Sequence, residues 1–376
     1  MAAVPSIAQG AWSKLRAKEL KRLAFLCGQN VTGTKPEITK RLDRAIAVSP
    51  PKVTAKSGPV VLSIDLGLRN LAISLMTPTS ASIPIISDSR KSKSKSKSKK
   101  KTSTTSPPSQ SPISVTDPPS ITLHHWERLA LIAGSKDGIP TSEMDNDTDA
   151  AAPDEVFSPA EIAKLANGFL QKIVLQLNPL PTHILIERQR WRSGSARGIF
   201  EWTVRVNTLE AMLHASLRAL RDAGVYQGEV ISIRPEAVGK FFVSADEEEK
   251  KKPATKPSSN SKKLKIKALG RWLSDGKNEV IASGNELARD MIDAYKDRVV
   301  VTRRRRSTTK GEDMEDDGKV KIMLDTKLDD LTDSLMQGMA WLRWQENVAI
   351  LRQQSGAETL LQAASQAIDE SKMPDV

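Results

Sequence analysis

The chain has one cysteine, Cys27, in 376 residues, which excludes an internal disulfide and any cysteine-rich zinc site. A reducing compartment fits. The four histidines, His124, His125, His183 and His214, form no metal-ligand spacing, and no Gly-x-Ser-x-Gly elbow for a serine nucleophile occurs. No apolar run approaches the about 20 residues needed to span a bilayer, and the start of the chain lacks the apolar core of a secretory signal. No membrane partner is therefore expected. Acids are absent from the first eighteen residues, which carry Lys14, Arg16 and Lys18 and are compatible with an organelle transit segment.

What is present is charge of the opposite sign. Lysine and arginine number 57 against 45 acids, a net charge of +12 with a pI of about 9.6, which favours a polyanion such as nucleic acid as partner. Only 39% of the residues are hydrophobic. That share predicts one main domain, a small accessory one and long insertions that bury little.

Helical spacing of Leu15, Leu20, Leu23 and Leu26, then of Ile38, Leu42 and Ile46, with Gly28 and Gly33 between, predicts a helical hairpin over residues 1–48. Gly33 to Leu42 resembles the SAP motif, a small DNA-contacting module, which implies that Lys35, Lys40 and Arg41 meet phosphates. As a plain helical hairpin the same residues form a solvated basic face. Residues 49–59, rich in proline, read as a linker, and 60–347 as the main domain. Stretches near 89–119, 134–157, 246–263 and 303–319 read as disordered insertions or loops, and 348–376 as a C-terminal helix or tail.

Within the main domain, Val60 to Ile64 is a β-rich run ending on Asp65, with Gly67 as a turn before a second strand at Leu71 to Met76. A third strand is expected within 121–132. Pro159 to Leu177 carries an amphipathic helix begun by Ser158, and Thr182 to Ile186 is a strand ending on Glu187. A helix over 197–223, a strand at 230–233 and a helix over 324–347 complete the pattern. The order implies an α/β fold with a mixed sheet flanked by helices.

Two strands that end on carboxylates and one helix that carries Asp329, Asp330 and Asp333 suggest a single chemistry. Residues three or four apart share a helix face, so Asp333 acts with either Asp329 or Asp330. Acids gathered in one cleft repel strongly unless a cation balances them. Hard oxygen donors suit Mg²⁺ or Mn²⁺, and a pair of such ions suits hydrolysis of a phosphodiester. Taken singly, Asp65 also reads as a turn residue, Glu187 as a partner of Arg188 or Arg190, and Asp329 and Asp330 as first-turn helix charges.

Ser63-Ile64-Asp65-Leu66-Gly67-Leu68-Arg69-Asn70-Leu71-Ala72, Ile186 to Ser193 and Asp329 to Ser334 resemble the motifs of the fungal mitochondrial Holliday-junction resolvases, relatives of bacterial RuvC. The resemblance spans residues 60 to about 345 and includes the preceding hairpin. It implies an RNase H-like fold, a homodimer, Mg²⁺ dependence, and paired nicks across four-way junction DNA in the mitochondrial matrix. Asp65, Glu187, Asp330 and Asp333 take its catalytic, metal-binding positions, with Asp329 an alternative metal ligand because of the doubled acid.

Arg188, Arg190, Arg192 and Arg197 follow Glu187 and read as phosphate-gripping guanidiniums around the cleft. Trp191 and Phe200 read first as core aromatics, and otherwise as residues that stack at a branch point. Competing functions are a non-enzymatic DNA-packaging protein, an RNase H-like nuclease or exonuclease on another substrate, and an actin-like ATPase. The exonucleases usually carry Asp-x-Glu where this chain has Asp65-Leu66-Gly67, and the ATPase needs a second phosphate loop that is not found.

Overall fold

The computed structural model describes residues 12–48, 58–79, 115–132, 157–189, 200–242, 257–274, 280–304, 328–353 and 355–367. The core is a six-stranded mixed sheet. Its strands are β1 (Val61–Asp65), β2 (Leu71–Pro78), β3 (Ile121–Leu129), β4 (His183–Glu187), β5 (Glu229–Ile233) and β6 (Ile281–Ser283), in the order β5-β4-β1-β2-β3-β6. β1, β2 and β3 form an antiparallel meander, while β4 and β5 run parallel to β1.

Side chains alternate across a strand, so each face of β1 has its own partners. Leu62 and Ile64 point into a core shared with α3 (Pro159–Lys172) and α4 (Glu201–Asp222). Ser158 caps α3 as its sequence predicts, its Oγ accepting from the Glu161 amide at 3.3 Å. Val61, Ser63 and Asp65 therefore face the other way. That second face is covered by α5 (Pro235–Phe242), α6 (Pro257–Ser274), α7 (Glu286–Arg304) and α8 (Leu328–Leu351).

α8 is the spine of this face. It comes close to the sheet at Gly338, where a Cβ would stand 2.3 Å from Met76 Cε and 3.3 Å from Ser63 Cβ. Hydrogen bonds fix its register. Ser74 Oγ donates to the Ser334 carbonyl at 3.1 Å, Gln337 Nε2 to Ser63 Oγ at 3.0 Å, and Trp126 Nε1 to the Leu331 carbonyl at 3.1 Å.

The N-terminal hairpin, α1 (Ala17–Leu26) and α2 (Lys35–Ala47), packs into one apolar cluster with the end of α8 and with α9 (Gly356–Ala367). Arg352 donates to the carbonyls of Ile46 and Val48 at the end of α2, and Asn347 Nδ2 to that of Leu26. Gly28 sits at φ +66°, where a Cβ would meet the Trp344 ring at 2.4 Å. Cys27 is buried here, and burial pushes its thiol up to about 12.

Two expected loop assignments differ from the structure. Residues 257–263, read as part of a charged loop, begin α6, whose apolar half (Leu264, Ala268, Leu269, Leu273) is buried against the core and supports the Lys/Ser-rich turn before it. Val115, assigned to an insertion, is buried, and its carbonyl accepts from Asn347 at 3.0 Å. Residues 80–114, 133–156, 243–256 and 305–327, which hold most of the expected insertions, and 49–57 of the expected linker lie outside the described residues. No helix among the described residues is long and apolar enough to cross a membrane.

Candidate active site

Asp65 closes β1 and Glu187 closes β4, and the parallel pairing of Ile64 with Ile186 sets the two acids side by side at one edge of the sheet. Both lie on the face covered by α8, being two residues beyond Ser63 and Leu185 respectively. The first turn of α8 arrives at the same edge with Asp329, Asp330 and, one turn on, Asp333.

These positions bring the charges together. Burial, a side-chain hydrogen bond with Glu187, and the fields of Glu187, Asp333 and Asp330 hold the Asp65 carboxyl well above the usual carboxylate range. The four predicted catalytic acids thus share one electrostatic site. Asp329 differs. It faces Lys262, whose Nζ lies 2.6 Å from its Oδ2, whereas the charges that raise the Asp65 carboxyl include those of Glu187, Asp333 and Asp330. Asp330 and Asp333, three residues apart on α8, both act on Asp65.

Lys265, also on α6, donates to Asp333 Oδ1 at 2.5 Å. Among the described residues, no three Asp, Glu, His or Cys side chains stand in a ready-made metal-ligand arrangement. The donor set nevertheless fits a hard divalent cation in its chemistry: it is all carboxylate oxygen, it lifts the proton affinity of Asp65, and ammonium groups already lie on Asp333 within it and on Asp329 beside it. Sequence reading missed Lys262 and Lys265 because only the helix they begin, which lacks apolar periodicity at that end, aims them at α8.

Arg188 is exposed beside Glu187, its amide continuing the ladder to the Ile233 carbonyl at 2.7 Å. Arg190, Trp191, Arg192 and Arg197 lie outside the described residues. Phe200, read first as a core aromatic, is instead 63% exposed at the start of α4, because the helix turns its apolar stripe of Val206, Leu209 and Leu213 inward from the next turn on. In the hairpin, Lys40 is exposed, but Lys35 Nζ donates to the Ser13 carbonyl, and Arg41 Nη1 to those of Asn30 and Thr32 at 2.8 and 2.6 Å. Arg41 therefore braces the turn of its own hairpin. Each histidine has a local polar partner: Thr77 for His124, Glu127 for His125, Thr182 for His183 and Ser232 for His214.

A three-stranded meander continued by two parallel strands, with carboxylates on the central strand, its parallel neighbour and a crossing helix, is the arrangement of the RNase H-like class. Within it, the family model described as mitochondrial resolvase Ydc2 / RNA splicing MRS1 matches residues 61–351, and the chain belongs to that family. The chain is 24% identical over 330 residues to "Cruciform cutting endonuclease 1, mitochondrial" of Schizosaccharomyces pombe, covering 87% of this chain and 91% of that one. It is 24% identical over 216 residues to the protein of the same name from Saccharomyces cerevisiae, covering 54% and 60%. The solved structure of the yeast mitochondrial Holliday junction resolvase Ydc2 is similar at 21% identity with a TM-score of 0.48, covering 94% of this chain and 99% of that one. Thermus thermophilus RuvC bound to a Holliday junction is similar at 14% identity with a TM-score of 0.24, covering 65% and 96%.

Proposed function

We propose that this protein is a metal-dependent endonuclease that resolves four-way DNA junctions in the mitochondrial matrix by paired nicks, acting as a homodimer. The carrying observation is the crowding of Glu187, Asp330 and Asp333 around Asp65, which keeps that carboxyl protonated above its ordinary range. A protein that only binds nucleic acid gains nothing from mutually repelling acids at a strand end, so the cluster favours cutting over DNA packaging. The family description also covers an RNA splicing protein, and the same argument favours the nuclease here. Both curated relatives are named cruciform cutting endonucleases and mitochondrial, which supports the substrate and the compartment.

Asp65, Glu187, Asp330 and Asp333 would hold Mg²⁺ or Mn²⁺. An ion held by these carboxylates would supply positive charge for the leaving 3′ oxygen and an acidified water. The chain's own residues set the frame. Gln337, bonded to Ser63 Oγ and to the Ile64 carbonyl at 3.2 Å, ties α8 to the strand that ends on Asp65 and so fixes the distance between helix and strand carboxylates. Lys265 holds Asp333, and Arg188, exposed and next to Glu187, is proposed as a phosphate contact. Lys40 on the hairpin is proposed as a further phosphate contact, as are Arg190, Arg192 and Arg197. A four-way junction is two-fold symmetric, so two active sites related by a dimer axis match its two equivalent strands.

The test incubates the protein with labelled four-way, three-way and linear DNA, with Mg²⁺ or with EDTA. Symmetric, Mg²⁺-dependent nicks confined to the four-way substrate are expected. Asp333→Asn should keep junction binding and lose cutting by about 100-fold or more, as for removal of a group that stabilises transition-state charge. Equal cutting of linear DNA, or wild-type activity in Asp333→Asn, overturns the reading.

A further inference from the structure

The turn joining β1 to β2 lies directly beyond Asp65, which pairs with Ala72 across the hairpin. It is held on three sides. Leu66, Leu68 and Leu71 are buried in the core under α3 and α4, and the Leu131 amide donates to the Leu68 carbonyl at 2.9 Å. Arg128 Nη1 donates to Asn70 Oδ1 at 3.0 Å. Gly67 closes the turn so tightly that a Cβ would stand 2.7 Å from the Asn70 carbonyl oxygen. A rigid turn of this kind exposes one long side chain, Arg69.

Arg69 is not left to wander. Its guanidinium carbon lies 5.5 Å from the ring centroid of Trp202, in the first turn of α4, and Trp202 meets Phe157 edge-on at 5.9 Å. Arg205 lies over the Phe157 ring, 3.6 Å from its centroid. The result is a run of contacts, cation to ring to ring to cation, that ties the turn after Asp65 to the helix that follows the Glu187 strand. Trp202 remains 40% exposed, so the stack is a surface feature and not a core. Arg69 forms no ion pair among the described residues.

Electrostatics gives this placement a purpose. The acids that would hold a metal repel a DNA backbone, and the lysines on the α6 side already face Asp329 and Asp333. A phosphate entering the cleft needs a cation from elsewhere. A guanidinium laid on a ring keeps its N–H edges available for two parallel bonds to phosphate, with little rotamer freedom left to lose. We propose that Arg69, braced by Trp202, is a phosphate-positioning residue on the β1–β2 side of the cleft, gripping the DNA backbone next to the bond to be cut. This rests on the junction-nuclease reading above and adds to it a residue outside the acidic cluster and the cations that follow Glu187.

The experiment measures binding of the full chain to a labelled four-way junction in EDTA between 50 and 200 mM salt, a range over which phosphate contacts are resolved. Arg69→Ala is expected to weaken binding roughly 10-fold, the worth of a hydrogen bond to a charged group, and to reduce the slope of log affinity against log salt by about one. Arg69→Lys restores the slope but not the full affinity. Trp202→Leu keeps the slope and weakens binding about three-fold, the worth of a cation–π contact at an exposed site. An Arg69→Ala slope equal to wild type, or an Arg69→Lys slope equal to that of Arg69→Ala, overturns the proposal. Cutting of four-way, three-way and linear DNA in Mg²⁺ by the same wild-type and Arg69→Ala preparations separates the two readings: if wild type does not cut the four-way DNA in preference to the others, the nuclease reading falls and this one with it. If wild type cuts while Arg69→Ala matches it throughout, only the role of Arg69 falls.

Discussion

At the scale of single residues, burial rather than charge count decides what each carboxylate does. Asp329 and Asp330 are neighbours in sequence, yet Asp330 acts on Asp65 while Asp329 turns to Lys262, a choice made by their 100° separation around α8. Glu346, further along α8, shows burial without a catalytic setting. It pairs with Arg343 at 2.5 Å, but burial outweighs that cation and pushes its carboxyl up to about 7. Between its ordinary 4.5 and about 7, the folded chain holds a proton that the unfolded chain has released. Stability from this group therefore falls as pH rises through that window, by about 3 kcal/mol in total at ~1.4 kcal/mol per pH unit. Glu346→Gln should flatten the drop in thermal midpoint between pH 5 and pH 8. Asp65 contributes a slope of the same sign, so part of the drop should remain; an unaltered profile would show that Glu346 ionises normally.

At the scale of elements, close approach explains the glycines that matter. α8 touches the sheet through Gly338 above Ser63 and Met76, and Gly338→Leu should force the helix outward. Overpacking of that kind costs about 1–3 kcal/mol, and because it moves Asp330 and Asp333 away from Asp65, cutting should fall more than junction binding. Measured rates and affinities that decline together would contradict this. Gly28 carries two constraints at once, its positive φ and the Trp344 ring. Gly28→Ala should cost about 2–4 kcal/mol from left-handed strain and overpacking combined, read as a lower denaturant midpoint and faster proteolysis between α1 and α2. α6 was not legible as a helix at its start, since Lys262 and Lys263 close a run that reads as a charged loop. Its packing on α8 and its ion pairs made the difference.

Across the whole molecule, the N-terminal hairpin is part of the same body as the sheet. Leu20, Leu23, Leu26, Ile38 and Leu42 are fully buried in a cluster that includes Val348, Leu351 and Leu360. Deleting residues 1–48 should therefore destabilise the catalytic unit, lowering its urea midpoint, and not merely weaken its grip on DNA. A deletion variant with an unchanged midpoint and only reduced affinity would show that the hairpin is an appended binding module. The docking residues, Arg352, Asn347 and Gly28, carry no pattern that points to their partners, because those partners are carbonyls and a ring hundreds of residues away in sequence.

The sequence by itself determined the two strands that end on Asp65 and Glu187. An apolar run closing on Asp65, another on Glu187, and a helix with acids three and four apart are local patterns, set by periods of two and 3.6 that need no knowledge of contacts. It also determined that Asp333 would have an acidic partner on its own helix face. Only the tertiary structure set Asp330 and Asp333 to act on Asp65 and Asp329 against Lys262, because α8 is held over the sheet through Gly338, Ser74 and Gln337. The same is true of Lys262, Lys265 and the Arg69–Trp202 stack. These are meetings between distant segments, and chain geometry in three dimensions, not residue spacing, sets their distances.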